Sequence, residues 1–566
     1  MKINPVNIRF GVLCNDTQIL VWQEIVIKKL VAEVGIDLEL LIIASDHNIN
    51  SPQTSNLVEA SSKSGILLKT YISYLKKKSR ALQEVKAHSL FKDIPHIHCT
   101  INKNQDGSAK LENREIEKIA SAQLDFIIDF SSARLIGEVV NVPKYGIWSY
   151  CHGDPEKYKG GDYYFRELYN EDVLTRACLI RSTIEPDTSM LLWDGYLKTN
   201  VFHIKNIDQI YFESTGWPLL ICRDIQYNNA KATFRSRNIV EGEFFPPLHN
   251  LELLGFFLIR LKLLCKKAVK SLLYTDYWNI GITQSPIQEF LNPQRTPSIT
   301  WFPNLPNAGF KADPFGIYFK DQLHILYEEF YFDEGIGKTS RLLFNNGQFS
   351  DNKVVIDEKF HMSYPYIFEY GDGIYCIPET YQANQVRLYK AEGSLDKWKL
   401  EKVLIENYAG IDNTLFKYDN TWFLFSTNKD SGAHYNLNIH YSDNIFGPWK
   451  GHYKNPVKTD IRSARPAGTM FMHNGDIFRP SMDYSEKIEG RIKINKILTL
   501  SNQDFNEEVH TVVEPFKDTD FSDKVHTLSQ VGSYTLVDGA KELFVLRNFK
   551  ALKYKFSTIL RKLKKV

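Results

Sequence analysis

No run of about 18 consecutive apolar residues occurs in the 566-residue sequence, so no segment reads as a membrane-spanning helix. The first residues, MKINPVNIRFGVLCND, lack the apolar core and small-residue cleavage site of a secretory signal, and the expectation is a cytoplasmic chain. Cysteine is sparse and scattered, at positions 14, 99, 151, 178, 222, 265 and 376. An odd set with no C-x-x-C spacing implies neither a disulfide framework nor a zinc site, and no metal is expected. There is no G-x-G-x-x-G, which removes the fingerprint of a dinucleotide-binding domain. Net charge is only +2, which argues neither for nor against nucleic acid, so charge has to be read locally; no nucleic-acid partner is expected.

What is present is length and aromatic content. At roughly 150 residues per domain, the chain should hold about three domain-sized pieces. Apolar and charged fractions of 43% and 24% are ordinary, whereas 13% aromatic is high and suits β-rich, carbohydrate-handling proteins.

The first part alternates apolar runs with helical periodicity. Ile8 to Cys14, Leu38 to Ala44, Ile97 to Ile101 and Asp125 to Phe130 read as strands, with helices over Ile19 to Val34 and Glu112 to Ala122. That pattern gives a parallel sheet flanked by helices. Tyr145 to Tyr150 then runs into the Gly-rich, carboxylate-bearing loop around GDPEKYKGG. Open α/β sheets place ligands outside the carboxyl ends of their strands, which makes this loop a candidate site.

GIWSYCHGDPEKYKGG and the later TRACLIRSTIEPDTS resemble the signature of the formyltransferase family. Lys157, Tyr158 and Gly160 fall on its K-Y-x-G, and Asp187 and Thr188 on its catalytic Asp and neighbouring Thr. The catalytic Asn falls on Ser149 and the catalytic His on Cys151, with His152 one position late. The resemblance implies a formyltransferase-like α/β domain, 10-formyltetrahydrofolate as donor, Asp187 and His152 as catalytic groups, and Ser149 and Cys151 on the substrate. Asp187 with Arg166, Arg176 and Lys159 could alternatively hold an anionic sugar or a nucleotide.

Leu251 to Tyr274 is an amphipathic, Leu-rich helix with five basic residues, and Asn279 to Pro306 reads as linker. From Phe310 the pattern becomes repeated hairpins, with turns at Asp321, Asp372, Asn420, Gly475 and Asp538, spaced 51, 48, 55 and 63 residues apart. A period near 50 with four short strands per unit describes a propeller blade, and five units fit.

At the mouth of each unit stand ADPF (312–315), SYPY (363–366), IDNT (411–414), ARPA (464–467) and HTLS (526–529). Innermost strands line a propeller's channel, so Asp313, Tyr364, Asp412, Arg465 and His526 should converge there. ADPF followed by Tyr327, Glu328 and Glu329 resembles blade one of five-bladed glycoside hydrolases of the arabinanase and xylosidase type, which implies Asp313 as general base. SYPY with IPET, IDNTLF and SARPAG resemble the propeller domain of glucosamine inositolphosphorylceramide transferases and of bacterial proteins from surface-glycan clusters. Sugar cleavage or transfer needs one ionised and one protonated carboxyl, and Asp313, Glu379 and Asp412 are the available set. Tyr364, Arg465 and His526 would bind sugar hydroxyls.

The last residues carry Lys550, Lys553, Lys555, Arg561, Lys562, Lys564 and Lys565 with no acidic residue. Two readings stand, a basic helix on the anionic inner membrane face and a solvated tail. The expected organisation is a formyltransferase-like α/β domain (1–235), a helical connector and linker (236–305), an all-β five-bladed propeller (306–548) and a basic amphipathic tail (549–566). The expected function is a sugar-modifying transferase of bacterial surface polysaccharide (lipopolysaccharide-type) biosynthesis, moving a glycosyl, formyl or acyl group and using a nucleotide sugar or other carbohydrate. The alternatives are a propeller glycoside hydrolase and a non-catalytic glycan-binding protein.

Overall fold

The structure is a computed structural model that describes residues 6–46, 65–103, 108–131, 134–158, 164–185, 188–228, 237–240, 242, 248–295, 297–303, 309–485, 490–547 and 549–563. The chain divides into two compact units, 1–264 and 265–566.

The first unit is a mixed α/β layer. Among the described residues its large sheet has ten strands, β1 (Ile8–Cys14), β2 (Ile36–Asp46), β3 (His96–Lys103), β4 (Ser108–Lys110), β5 (Phe126–Asp129), β6 (Arg134–Leu135), β7 (Ile147–His152), β8 (Leu174–Ser182), β9 (Thr188–Lys198) and β10 (Arg237–Val240). They lie in the order β10-β9-β8-β7-β5-β1-β2-β3-β4-β6. The central strands β7, β5, β1, β2 and β3 pair in parallel, whereas β8, β9 and β10 pair antiparallel. The physical cause is burial. Strands such as IRFGVLC and FIID are mostly apolar and almost entirely buried, so both faces need cover, and Trp148 stacks on Phe126 with ring centroids 3.9 Å apart. Helices α1 (Val21–Val31), α2 (Ile66–Lys78), α3 (Asn113–Ser121), α4 (His203–Ser214) and α5 (Trp217–Asn228) accompany this sheet, and α6 (Asn250–Leu273) follows.

Among the described residues the second unit contains five sheets, four of them four-stranded and one five-stranded. Blade one is Gly309–Phe319, Gln322–Tyr331, Ile336–Asn345 and Gln348–Ile356; blade two runs from Ser363 to Glu406; blade three from Gly410 to Gly451, with an added short strand at Lys458–Thr459; blade four from Phe471 to Val513. Blade five is assembled from both ends of the unit, with Leu528–Val531 innermost, then Tyr534–Phe544, then Tyr274–Thr283, then Thr300–Trp301 outermost.

Two sequence-based expectations are corrected here. Tyr274 to Thr283 and Thr300–Trp301, read as connector and linker, are propeller strands. Asp538-Gly539, read as a hairpin turn, lies inside the long strand Tyr534–Phe544. Because the fifth blade takes its outer half from sequence 250 residues earlier, its local period could not repeat that of the other four.

Apolar layers fill every gap around the ring. Phe315 and Leu326 of blade one pack with Tyr366 and Ile377 of blade two and Leu415 and Leu424 of blade three. Phe425 and Ile439 meet Ile477 and Ile497 between blades three and four. Ile492 and Ile494 meet Leu528 and Val537 between four and five, and Ile280, Ile282 and Leu536 meet Ile325 and Leu342 between five and one. A small sheet stabilises itself only by stacking on its neighbours, so closure of this ring is a stability requirement. Helix α7 (Phe549–Leu563) follows the last blade.

Ile280 is almost fully buried in the closing strand. Ile280→Ala should therefore lower unfolding free energy by about 2–5 kcal/mol, whereas Leu498→Ala, at a half-exposed position, should change it by less than about 0.5 kcal/mol. Urea denaturation of the two variants checks this.

Candidate active site at the propeller channel

The innermost strands of blades one, two and three share an unusual backbone feature. Their register breaks between Ala312 and Phe315, between Ser363 and Tyr366, and between Ile411 and Thr414. Asp313, Tyr364 and Asp412 occupy these bulges with φ of +53°, +46° and +52°, and they are spaced 51 and 48 residues apart. A left-handed conformation costs a non-glycine residue on the order of 1 kcal/mol or more, and for a bulky tyrosine it is a true outlier. A strain repeated at one place in three blades is a device for re-aiming side chains.

Around these bulges carboxyls gather. Asp313, Glu328, Glu379, Asp412 and Asp538 are all buried. Glu328 pairs across the ladder with Ala312, and Glu379 with Ser363, so the two glutamates hold equivalent places in blades one and two, 51 residues apart. Asp412 is forked by Arg465, through Nε to Oδ2 and Nη2 to Oδ1 at 3.3 Å. Arg465 Nη1 also lies 3.3 Å from the Tyr484 hydroxyl and 3.3 Å from His434 Nδ1. The backbone N–H of Asp412 donates to Glu379 Oε2 at 3.1 Å.

At the opposite wall His526 Nδ1 lies 2.5 Å from Asp538 Oδ2 and its Nε2 lies 3.6 Å from Asp313 Oδ1. Its ring stacks on Trp278 at 3.9 Å. Thr527 Oγ1 donates to Asp313 Oδ1 at 2.9 Å, and the backbone N–H of Asp313 donates to Asp538 Oδ2 at 3.2 Å. Arg465 and His526 side chains remain 18% and 17% exposed, so the site is open to solvent at this mouth.

The electrostatics are asymmetric. Burial, followed by the charge of Asp412, pushes the Glu379 carboxyl well above the usual carboxylate range. Burial and then Asp313, Glu379 and Asp412 do the same to Glu328, with Arg465 opposing. Asp313 is raised by burial to about 6, with His526 pulling it down. Burial disfavours the charged imidazole of His526, but Asp538 and Asp313 outweigh it and raise its pKa. One carboxylate bound to arginine beside two carboxyls that keep their protons is the arrangement that supplies a base and an acid in one site.

Tyr364 takes a different part from the others. It is fully buried, and its hydroxyl accepts from the Gly468 N–H at 2.6 Å, donates to the Gly468 carbonyl at 3.2 Å and sits 2.8 Å from Thr414 Oγ1. Gly468 in turn bridges Leu528, whose carbonyl lies 1.8 Å from where a Cβ on Gly468 would stand. Blades two, four and five are thus tied across the axis by a tyrosine rather than opened by a carboxylate. Its hydroxyl is saturated by protein partners.

Asp313, His526 and Asp538 also bring ligand atoms within 4.8 Å of one another, a set that a cation could bridge. Those atoms are already engaged in the His526 ion pairs described above, and we assign no metal. The channel therefore unites Asp313, Glu379, Asp412, Arg465 and His526 of the sequence-based set. It adds Glu328 and Asp538. The missed Glu328 was legible, since Y-E-E and I-P-E place a glutamate at one position of successive repeats.

In the α/β unit only part of the sequence-based set falls on described residues. Asp187 and Lys159 lie outside the described residues. His152 is stacked on Tyr211 at 3.6 Å and edged by Trp22 at 4.9 Å, and burial lowers its pKa to about 3. Cys151 stands opposite Cys178 in the β7–β8 ladder. The Ser149 hydroxyl oxygen is buried without a hydrogen-bond partner, beside Asp129 in the β5–β7 register. Arg176 cannot be a free anion site: it is almost wholly buried and reaches Asp154 at 2.8 Å, Glu156 at 2.7 Å and Asp194 at 2.8 Å. Arg166 lies 3.6 Å from Glu252.

Fold and site define a class, a five-bladed propeller with a buried carboxyl cluster in its channel. Within that class, residues 278–525 match the family model described as "Glucosamine inositolphosphorylceramide transferase 1, N-terminal". The chain is 33% identical over 207 residues to glucosamine inositolphosphorylceramide transferase 1 of Oryza sativa subsp. indica, covering 35% of this chain and 28% of the relative. It is 32% identical over 210 residues to the Arabidopsis thaliana protein of that name, covering 35% and 27%. The chain thus spans under a third of the length of these curated relatives. Among solved structures it is similar to an exo-1,5-alpha-L-arabinanase from a bovine ruminal metagenomic library, with 14% identity, TM-score 0.31, and 41% and 93% coverage. An alpha-L-arabinofuranosidase from Podospora anserina gives 8% identity, TM-score 0.33, and 44% and 94% coverage.

Two expected outcomes follow from this geometry. Tyr364→Phe leaves the buried Gly468 N–H unpaired and should cost about 1–3 kcal/mol of stability, measured by thermal unfolding. Asp129 is held by burial at a pKa of about 7, whereas an unfolded aspartate releases its proton near about 3.9. The folded chain binds the extra proton in that window, so unfolding free energy should fall as pH rises from about 4 to 7. Asp129→Asn should flatten that fall, compared by denaturation at about pH 4.5 and about pH 8.

Proposed function

We propose that the protein is a sugar-modifying transferase whose reacting centre is the propeller channel. The observation that carries this reading is the pairing of Asp412, bound to Arg465, with Glu379 and Glu328, which burial keeps protonated. Transfer at an anomeric carbon needs an acid to protonate the departing oxygen, a base to take the proton of the incoming hydroxyl, and negative charge facing the cationic sugar ring. Glu379 is assigned as acid, Asp412 as the charge beside the ring, and Asp313, set at about 6 and held by Thr527 and His526, as base. Glu328 positions this set through its charge coupling to Asp313 and Glu379. Arg465 and His526, at the open mouth, bind hydroxyls of the donor, a nucleotide sugar or other activated saccharide.

The similarity of residues 278–525 to a domain of enzymes named as glucosamine inositolphosphorylceramide transferases supports sugar transfer over other chemistries. The acceptor, a saccharide hydroxyl rather than water, separates this reading from a glycoside hydrolase. That second reading is favoured by the same protonated Glu379 and is decided by product analysis. A non-catalytic glycan-binding role draws on the blade-two bulge, where the buried Tyr364 stands in place of a carboxylate. We assign the α/β unit a formyltransferase-like scaffold but no formyl or acyl transfer, because His152 is packed among aromatic rings. Seven free cysteines suit a cytoplasmic setting, and we place the reaction in surface-polysaccharide assembly there.

With nucleotide sugars and simple glycans as substrates, Glu379→Gln and Asp313→Asn should each cut turnover by about a hundredfold or more, with folding unchanged. Turnover should decline on the acid side as Asp313 gains its proton near about pH 6, and Asp313→Asn should lose that limb. Wild-type turnover in both variants would place the chemistry elsewhere.

A further inference from the structure

Away from the channel, the last turns of α6 and helix α7 form a surface that the sugar chemistry does not use. One face of α7 is fixed to blade one. Tyr554 packs on Phe330 and Phe332 with ring centroids 5.4 and 5.9 Å away, and Ala551 and Leu552 belong to the same cluster. Lys550 pairs with Asp333 at 2.7 Å, and Lys555 Nζ donates to the carbonyl of Ser271 at 2.9 Å and to that of Tyr274. The tail is therefore a docked helix that meets the end of α6.

The other face points outward. Phe549, Lys553, Phe556 and Leu560 follow one another at helical spacing, and the three apolar members are 78%, 49% and 57% exposed. Beside them the end of α6 exposes Val269 and Leu272 together with Lys266 and Lys267. Large apolar side chains grouped on a helix face and bordered by lysine are the composition of an interfacial helix.

Charge selects the partner. From Phe549 to Val566 the sequence has seven lysine and arginine residues and no aspartate or glutamate. The acidic groups nearby are engaged in ion pairs, Asp333 with Lys550, Glu542 with Lys270 at 2.7 Å, and Asp276 with Lys524 at 2.6 Å. We infer that this surface binds an anionic lipid bilayer. Phe556 and Leu560 enter the boundary between headgroups and acyl chains, and Lys553, Lys266 and Lys267 face lipid phosphates. This inference is independent of the reaction assigned to the channel.

The test is sedimentation of the full chain with vesicles of phosphatidylcholine alone and of phosphatidylcholine mixed with phosphatidylglycerol. The expected result is binding to the mixed vesicles that weakens with salt, falls about fivefold for each of Lys553→Glu and Lys267→Glu, and falls about tenfold or more in Phe556→Asp/Leu560→Asp. Melting temperature and elution volume should stay those of the wild type. Equal binding to neutral vesicles, or wild-type binding in the two lysine variants, would overturn the inference. So would a concentration-dependent dimer that Phe556→Asp/Leu560→Asp dissolves, since the face would then pair with a second copy.

Discussion

Everything in the second unit rests on the antiparallel pairing of Tyr274–Thr283 with Tyr534–Phe544, a ladder that runs unbroken from Tyr274 opposite Phe544 to Thr283 opposite Thr535. Without it, blade five would be the two strands Leu528–Val531 and Tyr534–Phe544, and an isolated two-stranded ribbon is marginal in water. The same pairing brings Trp278 against His526 and holds Asp538 in place opposite Ile280. Ring closure and site geometry are therefore one constraint: the strand that completes the last blade also supports the imidazole at the channel wall.

Five carboxyls buried around one axis carry a large electrostatic cost. The fold meets it in two ways. Arg465 and His526 each neutralise part of the cluster, and the remaining carboxyls retain protons. The contrast with blade four is instructive. There Arg479 is wholly buried, grips Glu507 through Nε at 2.8 Å and Nη2 at 2.6 Å, and also donates to the Ser463 carbonyl. Lys458 adds a third contact to Glu507 at 2.8 Å, and the Glu507 pKa drops to about 2. Glu507 has cations enough to stay charged and serves cohesion. Glu379 and Glu328 have too few, and that deficit leaves them able to give up a proton to a bound ligand.

Much of this was legible in the sequence because a propeller repeats itself. The spacing of the hairpin turns exposes the blade period, and the motifs around Asp313, Tyr364 and Asp412 expose the channel residues. The closing strand was not legible: YTDYWNIGIT carries no repeat signal, and its partner lies about 250 residues downstream, a distance over which local pattern says nothing about pairing. The described part of the loop after β7 is a different case. Its glycines and carboxylates have the composition of a ligand site, yet Asp154 and Glu156 are turned onto Arg176, and Glu156 is also gripped by Arg237 at 2.6 Å. Sequence shows which residue types are present, but not which of them one buried guanidinium has already engaged.

Tyr364 shows how one position divides the propeller's chemistry from its architecture. Blades one and three place an aspartate on the left-handed bulge, and blade two places a phenol there, in a conformation tyrosine rarely adopts. The compensation is visible: the hydroxyl satisfies both backbone groups of Gly468, and the ring packs edge-on against Phe315 at 4.7 Å. A carboxylate at that position could accept from the Gly468 N–H but could not also donate to its carbonyl, and it would add a further negative charge to a cluster already short of cations. With the phenol the tie is neutral, and the titratable groups of the channel are the carboxyls of the neighbouring bulges and of the second strands. The repeated bulge thus provides one geometry, and the side chain placed on it decides whether a blade contributes charge or closure.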